Sequence, residues 1–63
     1  FSQIENMSNR IKELYNIEIT FEFDQFENLF IFNTHTHLTE SLLKSLYSIS
    51  NDIFKDQILY YFI

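Results

Sequence analysis

The sequence predicts an α+β fold: a small αββαα domain in which a two-stranded antiparallel hairpin packs on three helices. Three observations predict it. Apolar residues recur at helical spacing from Ile4 to Leu14; two short alternating runs, Ile17 to Phe23 and Leu29 to Phe32, flank a polar reversal; and a threonine-capped apolar stripe opens at Leu38. At 63 residues the chain has room for one domain, residues 1–63, near the lower limit for a single hydrophobic core without disulfides or metal.

The first helix runs from Gln3 to Tyr15, because Ile4, Met7, Ile11 and Leu14 fall on one stripe while Glu5, Asn9, Arg10, Lys12 and Glu13 fall mainly elsewhere. Asn16 is placed to stop it, since Asn tolerates the left-handed conformation that Gly would otherwise supply. Strict alternation then sets Ile17, Ile19, Phe21 and Phe23 on the face toward the helices, with Glu18, Thr20 and Glu22 on the other. Asp24 to Asn28 is a polar hairpin loop, and the second strand runs from about Leu29 to Asn33. There both faces are apolar. The reading places Leu29 and Ile31 inward and leaves Phe30 and Phe32 on the outer face beside Glu18, Thr20 and Glu22; the alternative puts at least one of the two phenylalanines in the core.

Thr34 to His37 reads as a loop. Thr39 is an N-cap candidate, Glu40 suits the positive end of the helix dipole, and Leu38 is spaced to staple onto Leu43. Leu42, Leu43, Leu46 and Ile49 continue the apolar stripe to about Ser50. A third helix, capped by Ser50 or Asn51, would turn Ile53, Phe54, Ile58 and Tyr61 inward. The competing assignment for residues 57–63 is a third strand, since Ile-Leu-Tyr-Tyr-Phe-Ile favours β structure.

Composition excludes several functions. There is no Cys, Gly or Pro, which removes disulfides, thiolate zinc sites, Cys nucleophiles and phosphate-cradling Gly loops. A core this small rarely leaves a catalytic cleft, so no enzyme activity is expected. No apolar run approaches the ~18 residues of a membrane span and no signal peptide is visible, so a cytoplasmic, non-membrane protein is expected. The net charge of −5 and the scattering of Arg10, Lys12, Lys44 and Lys55 argue against nucleic acid and favour a basic partner.

Two clusters have the residue types of chemistry. His35 and His37 form a His-x-His pair with no third ligand at suitable spacing, so no metal or other cofactor is expected. Thr39 or Ser41 with a histidine and a carboxylate has the types of a triad, but Thr39 is explained by capping and no strained elbow surrounds Ser41.

The order of elements, and the spacing from Leu29-Phe30-Ile31-Phe32 to Leu38-Thr39-Glu40-Ser41-Leu42-Leu43 followed by Leu46 and Ile53 to Leu59, resembles the tubulysin-type β-hairpin docking domains. These stand at the N-termini of nonribosomal peptide synthetase and hybrid polyketide synthase subunits. The resemblance covers nearly the whole chain. It implies a protein-protein interaction module in natural product biosynthesis that captures a short linear motif at the C-terminal tail of the upstream subunit. The tail would add as a strand to the second strand of the hairpin, so that Leu29, Phe30, Ile31, Phe32 and Asn33 contact it, with Glu18, Thr20 and Glu22 on the adjoining face. Family members often carry Gly in the turn and basic residues on the exposed face. Here the turn is Asp24-Gln25-Phe26-Glu27-Asn28 and the face is acidic, which implies a cognate tail bearing Lys or Arg. Competing readings are a stand-alone acidic inhibitor that mimics nucleic acid and a weak homodimer through the hairpin edges.

Overall fold

The computed structural model describes residues 2–63 as two helices and a three-stranded mixed sheet, in the order α1 (Ser2–Tyr15), β1 (Thr20–Asp24), β2 (Leu29–Asn33), α2 (Glu40–Phe54) and β3 (Leu59–Phe62). The α+β class is as expected. The arrangement is αββαβ rather than αββαα, and β2 is the central strand, with β1 antiparallel on one side and β3 parallel on the other.

Helix α1 forms on the anticipated stripe: Ile4, Met7 and Ile11 are buried, while Leu14, in the last turn, is exposed. Asn16 stops it at φ 56°, its N–H donating to the Lys12 carbonyl at 2.9 Å. The hairpin reverses without glycine because two side groups do glycine's work. Asp24 Oδ1 accepts from the N–H groups of Phe26 (2.9 Å) and Glu27 (3.3 Å), and Asn28 takes the left-handed conformation at φ 55°. Thr39 caps α2 as expected, its hydroxyl accepting from the Leu42 N–H at 3.2 Å.

The predicted break at Ser50 does not occur. Ser50 is fully buried and its hydroxyl donates back to the Leu46 carbonyl at 2.8 Å, so it is satisfied within a continuous helix and caps nothing. The helix ends four residues later, where Lys55 (φ 49°) and Asp56 (φ 63°) are both left-handed and the Lys55 N–H donates to the Asn51 carbonyl. Two such residues in succession cost roughly 1–2 kcal/mol each. The reversal returns Leu59–Phe62 alongside β2, which is the parallel crossover that a helix between two strands permits. The third-helix assignment is therefore corrected to a strand.

The face assignment of β2 is also corrected. Register places Phe21, Phe32 and Phe62 in one row across the sheet and Phe23, Phe30 and Tyr60 in the next, on the side of the helices. Phe32 is the centre of the core: it is fully buried, with ring centroids of Phe62 at 5.4 Å, Tyr60 at 5.8 Å and Phe54 at 6.1 Å. Leu29 and Ile31 face outward. The bulkier rings win the inner face because they fill the gap between the sheet and the two helices, where Met7, Ile11, Leu46 and Phe54 meet them.

Candidate protein-interaction surface

A strand alternates the direction of its main-chain groups as well as its side chains. Ile63 donates to the Phe32 carbonyl at 2.8 Å and accepts from the Thr34 N–H at 3.0 Å, so the even-numbered residues of β2 bond toward β3 and the odd-numbered ones toward β1. Both edges of β2 are thus occupied. The expectation that a partner strand adds to β2 is corrected: the open edges of the sheet belong to β1 and β3.

These two edges differ. On β3 the N–H of Phe62 points outward, and Tyr47 of α2 covers it, its hydroxyl oxygen accepting at 3.2 Å. Tyr60, next along the same edge, donates its hydroxyl to Asn51 Oδ1, which ties the strand to α2 again. Burial pushes the Tyr60 phenol above the usual tyrosine range, with Tyr47 adding to the effect. On β1 the same alternation turns the main-chain N–H and C=O of Phe23 outward, where no strand of the described chain lies. The Phe23 ring is 45% exposed and rests on Phe30 at 4.7 Å. β1 is the edge open to a partner.

The charges on the hairpin itself, residues 20–33, are of one sign. Glu22, Asp24 and Glu27 lie on the hairpin, and none of them has an ion pair among the described residues. Three of the four cations are already in ion pairs: Arg10 with Asp52 (3.6 Å), Lys12 with Glu18 just ahead of β1 (2.9 Å) and Lys44 with Glu40 (3.8 Å). Lys12 bonds the Glu18 carboxylate directly, which holds its pKa below the usual carboxylate range. Glu18 is therefore an intramolecular tether between α1 and the start of β1, and it has less to offer a partner than Glu22.

The residues expected to meet a partner separate into three groups. Thr20, Glu22, Leu29, Ile31 and Asn33 share the outer face; Phe30 is half-buried and Phe32 fully buried on the helix side, so Phe32 is corrected from contact residue to core; Glu18 is engaged with Lys12. Sequence reasoning missed Phe23 as an edge residue, and it missed the outer-face residues Leu59, Tyr61 and Ile63, which the β-prone run at residues 58–63 could have revealed.

His35 is placed for structure. His35 sits at φ 53°, its N–H donates to Asn33 Oδ1 at 2.9 Å, and its Nε2 is 2.7 Å from the Thr20 hydroxyl, which pins the loop after β2 to the start of β1. Among the described residues no group of three or more His, Asp or Glu side chains could hold a metal ion, and no helix is long and apolar enough to cross a membrane.

Comparison with protein-family models, curated proteins and solved structures finds no match for this chain.

Proposed function

We propose that this chain is a protein-interaction module that captures a short, extended, basic segment of another protein as a fourth strand along the outer edge of β1. The observation that carries the reading is the contrast between edges: Phe23 presents its main-chain groups beside three carboxylates that have no ion pair among the described residues, whereas the β3 edge is tied to α2 through Tyr47 and Tyr60. Main-chain bonds to the edge supply affinity, and alternate side chains of the added strand supply selection. Side chains on one face of the segment would run beside Glu22 and Asp24, which favours Lys or Arg; those on the other would cover the exposed ring of Phe23.

In the setting that the family resemblance implies, the segment is the C-terminal tail of an upstream synthetase subunit. Docking would raise the effective concentration of the carrier domain ahead of that tail. The reading gives the chain no reaction of its own. Affinity on the order of micromolar is expected, because a disordered tail loses conformational entropy on binding. A second copy is a poor occupant of this edge. Antiparallel pairing of two β1 strands about Glu22 sets the two Glu22 carboxylates directly opposite one another, which is unfavourable.

A ¹H–¹⁵N titration with C-terminal peptides of synthetase subunits, alongside an alternating Lys/Val peptide and its Glu/Val counterpart, tests the reading. Saturable shifts centred on residues 20–24, present with the basic peptide and absent with the acidic one, support strand addition to an acidic edge. Shifts centred on α2, or none with any peptide, overturn it.

A further inference from the structure

The edge of β1 accounts for only one side of the exposed surface. Register also builds the sheet's outer face, in rows Asp24–Leu29–Leu59 and Glu22–Ile31–Tyr61, with Ile63 continuing β3 opposite Asn33. No element of the described chain covers this face, and Leu59, Tyr61 and Ile63 are 63%, 38% and 52% exposed. The face is asymmetric. Its β2 and β3 portion is largely apolar, its β1 border carries Glu22 and Asp24, and no strand or hairpin residue is Lys or Arg.

We propose that the outer face of the sheet docks an amphipathic helix of another protein, its apolar stripe lying on Ile31, Leu59 and Tyr61 and its Lys or Arg border lying along Glu22 and Asp24. Three physical arguments select this occupant. An extended segment laid on a sheet face finds no main-chain partners and would bury unsatisfied amides, whereas a helix satisfies its own. Three strands at about 4.8 Å spacing make a platform roughly 10 Å wide, the width of one helix. A second copy stacked face to face would offer the acidic border no cation from its own strands, in a chain that already carries −5. A cavity of about 70 Å³ lined by Thr20, Phe21, Glu22, Ile31, Asn33 and Ile63 offers a seat for the tip of one anchoring side chain. This surface shares the Glu22 and Asp24 border with the β1 edge, but it uses side chains of the sheet face rather than main-chain groups, and the proposal does not depend on strand addition.

The test is a titration of the ¹³C-methyl-labelled protein with a Leu/Lys peptide of about 14 residues, roughly 20 Å of helix, with leucine at helical spacing. Two controls accompany it: a Leu/Glu version of the same pattern, and a Leu/Lys peptide of equal composition with strict alternation. The helical Leu/Lys peptide should shift the methyls of Ile31, Leu59 and Ile63 and gain helical circular dichroism on binding, while the Leu/Glu version should not bind. Leu59→Thr and Tyr61→Thr replace apolar side chains of the exposed face with a β-branched residue that suits a strand, and together they should weaken binding ~10-fold or more through lost apolar contact while the urea midpoint shows the sheet intact. Binding that survives both substitutions, equal methyl shifts with the alternating peptide, or a concentration-dependent dimer abolished by Tyr61→Thr would each overturn the helix proposal. Shifts confined to the amides of residues 20–24 would overturn it too while leaving strand addition standing.

Discussion

Phe32 and Ile31 are adjacent in sequence and face opposite ways, so one pair of substitutions reads out the organisation of the sheet. Phe32 is fully buried against Phe54, Tyr60 and Phe62. Replacing a buried phenylalanine with alanine costs about 3–5 kcal/mol, from lost transfer energy and the cavity left behind. A chain of 63 residues has roughly 3–9 kcal/mol of stability in all. Phe32→Ala should therefore remove most of the cooperative unfolding transition at 25 °C. Ile31→Thr keeps a β-branched side chain on a face that water already reaches, and should cost only about 0.5–1 kcal/mol. The assay is equilibrium urea unfolding followed by far-UV circular dichroism, with tyrosine fluorescence as the second probe because the chain has no tryptophan. If Ile31→Thr unfolds the protein and Phe32→Ala is mild, the faces are reversed and the outer surface described above does not exist.

Further outcomes follow from individual bonds. Thr39→Ala removes the cap on α2 and should destabilise the fold by about 1 kcal/mol in the same urea assay, while Thr39→Ser should be close to neutral. Tyr47→Phe leaves the Phe62 N–H on an open edge; it should cost about 0.5–1.5 kcal/mol and speed exchange of that one amide, read by hydrogen–deuterium exchange. Because Lys12 lowers the Glu18 pKa in the fold, the tether stabilises above the unfolded carboxylate pKa and its contribution is lost as pH falls through the folded value. Carboxyl ¹³C titration should show Glu18 below the usual range, and Lys12→Ala should return it toward that range. Tyr60, raised by burial, stabilises below the unfolded phenol pKa. Stability should fall as pH climbs past about 10 toward the folded value, and ultraviolet difference absorbance should show a tyrosine ionising above the usual range that is lost in Tyr60→Phe.

Local signals were legible in the sequence because local chemistry decides them. The helical stripe through Ile4, Met7 and Ile11, the Asn16 stop, the Asp24–Asn28 reversal and the Thr39 cap each depend on a few neighbouring residues and form as read, except that Leu14, the last member of the stripe, is exposed. What escaped depends on residues distant in the chain. Ser50 reads as a cap by propensity, yet packing buries it in mid-helix with its hydroxyl returned to Leu46. Leu29 and Ile31 alternate as well as Phe30 and Phe32 do; only the arrival of Phe54 and Phe62 decides which pair is inside. The candidate site moved for the same reason. A hairpin followed by helices leaves β2 as an edge, but a hairpin followed by one helix and a parallel strand makes it the centre. Val-free but aromatic, the run Leu59-Tyr60-Tyr61-Phe62 has the composition of a strand, and the helix before it provides the crossover such a strand requires.

The account rests on β2 being central and β1 being the open edge, and amide hydrogen exchange of the protein alone tests this directly. In a central strand consecutive amides are bonded, alternately to either neighbour; in an edge strand every second amide faces water. The structure predicts slow exchange at Phe30, Ile31, Phe32 and Asn33 together, with Thr34 and Ile63 also protected, and on β1 slow exchange at Glu22 beside fast exchange at Phe23. Fast exchange at Phe30, Phe32 and Thr34, with Ile31 and Asn33 still protected, would mean that β3 does not pair with β2 and would return β2 to the edge.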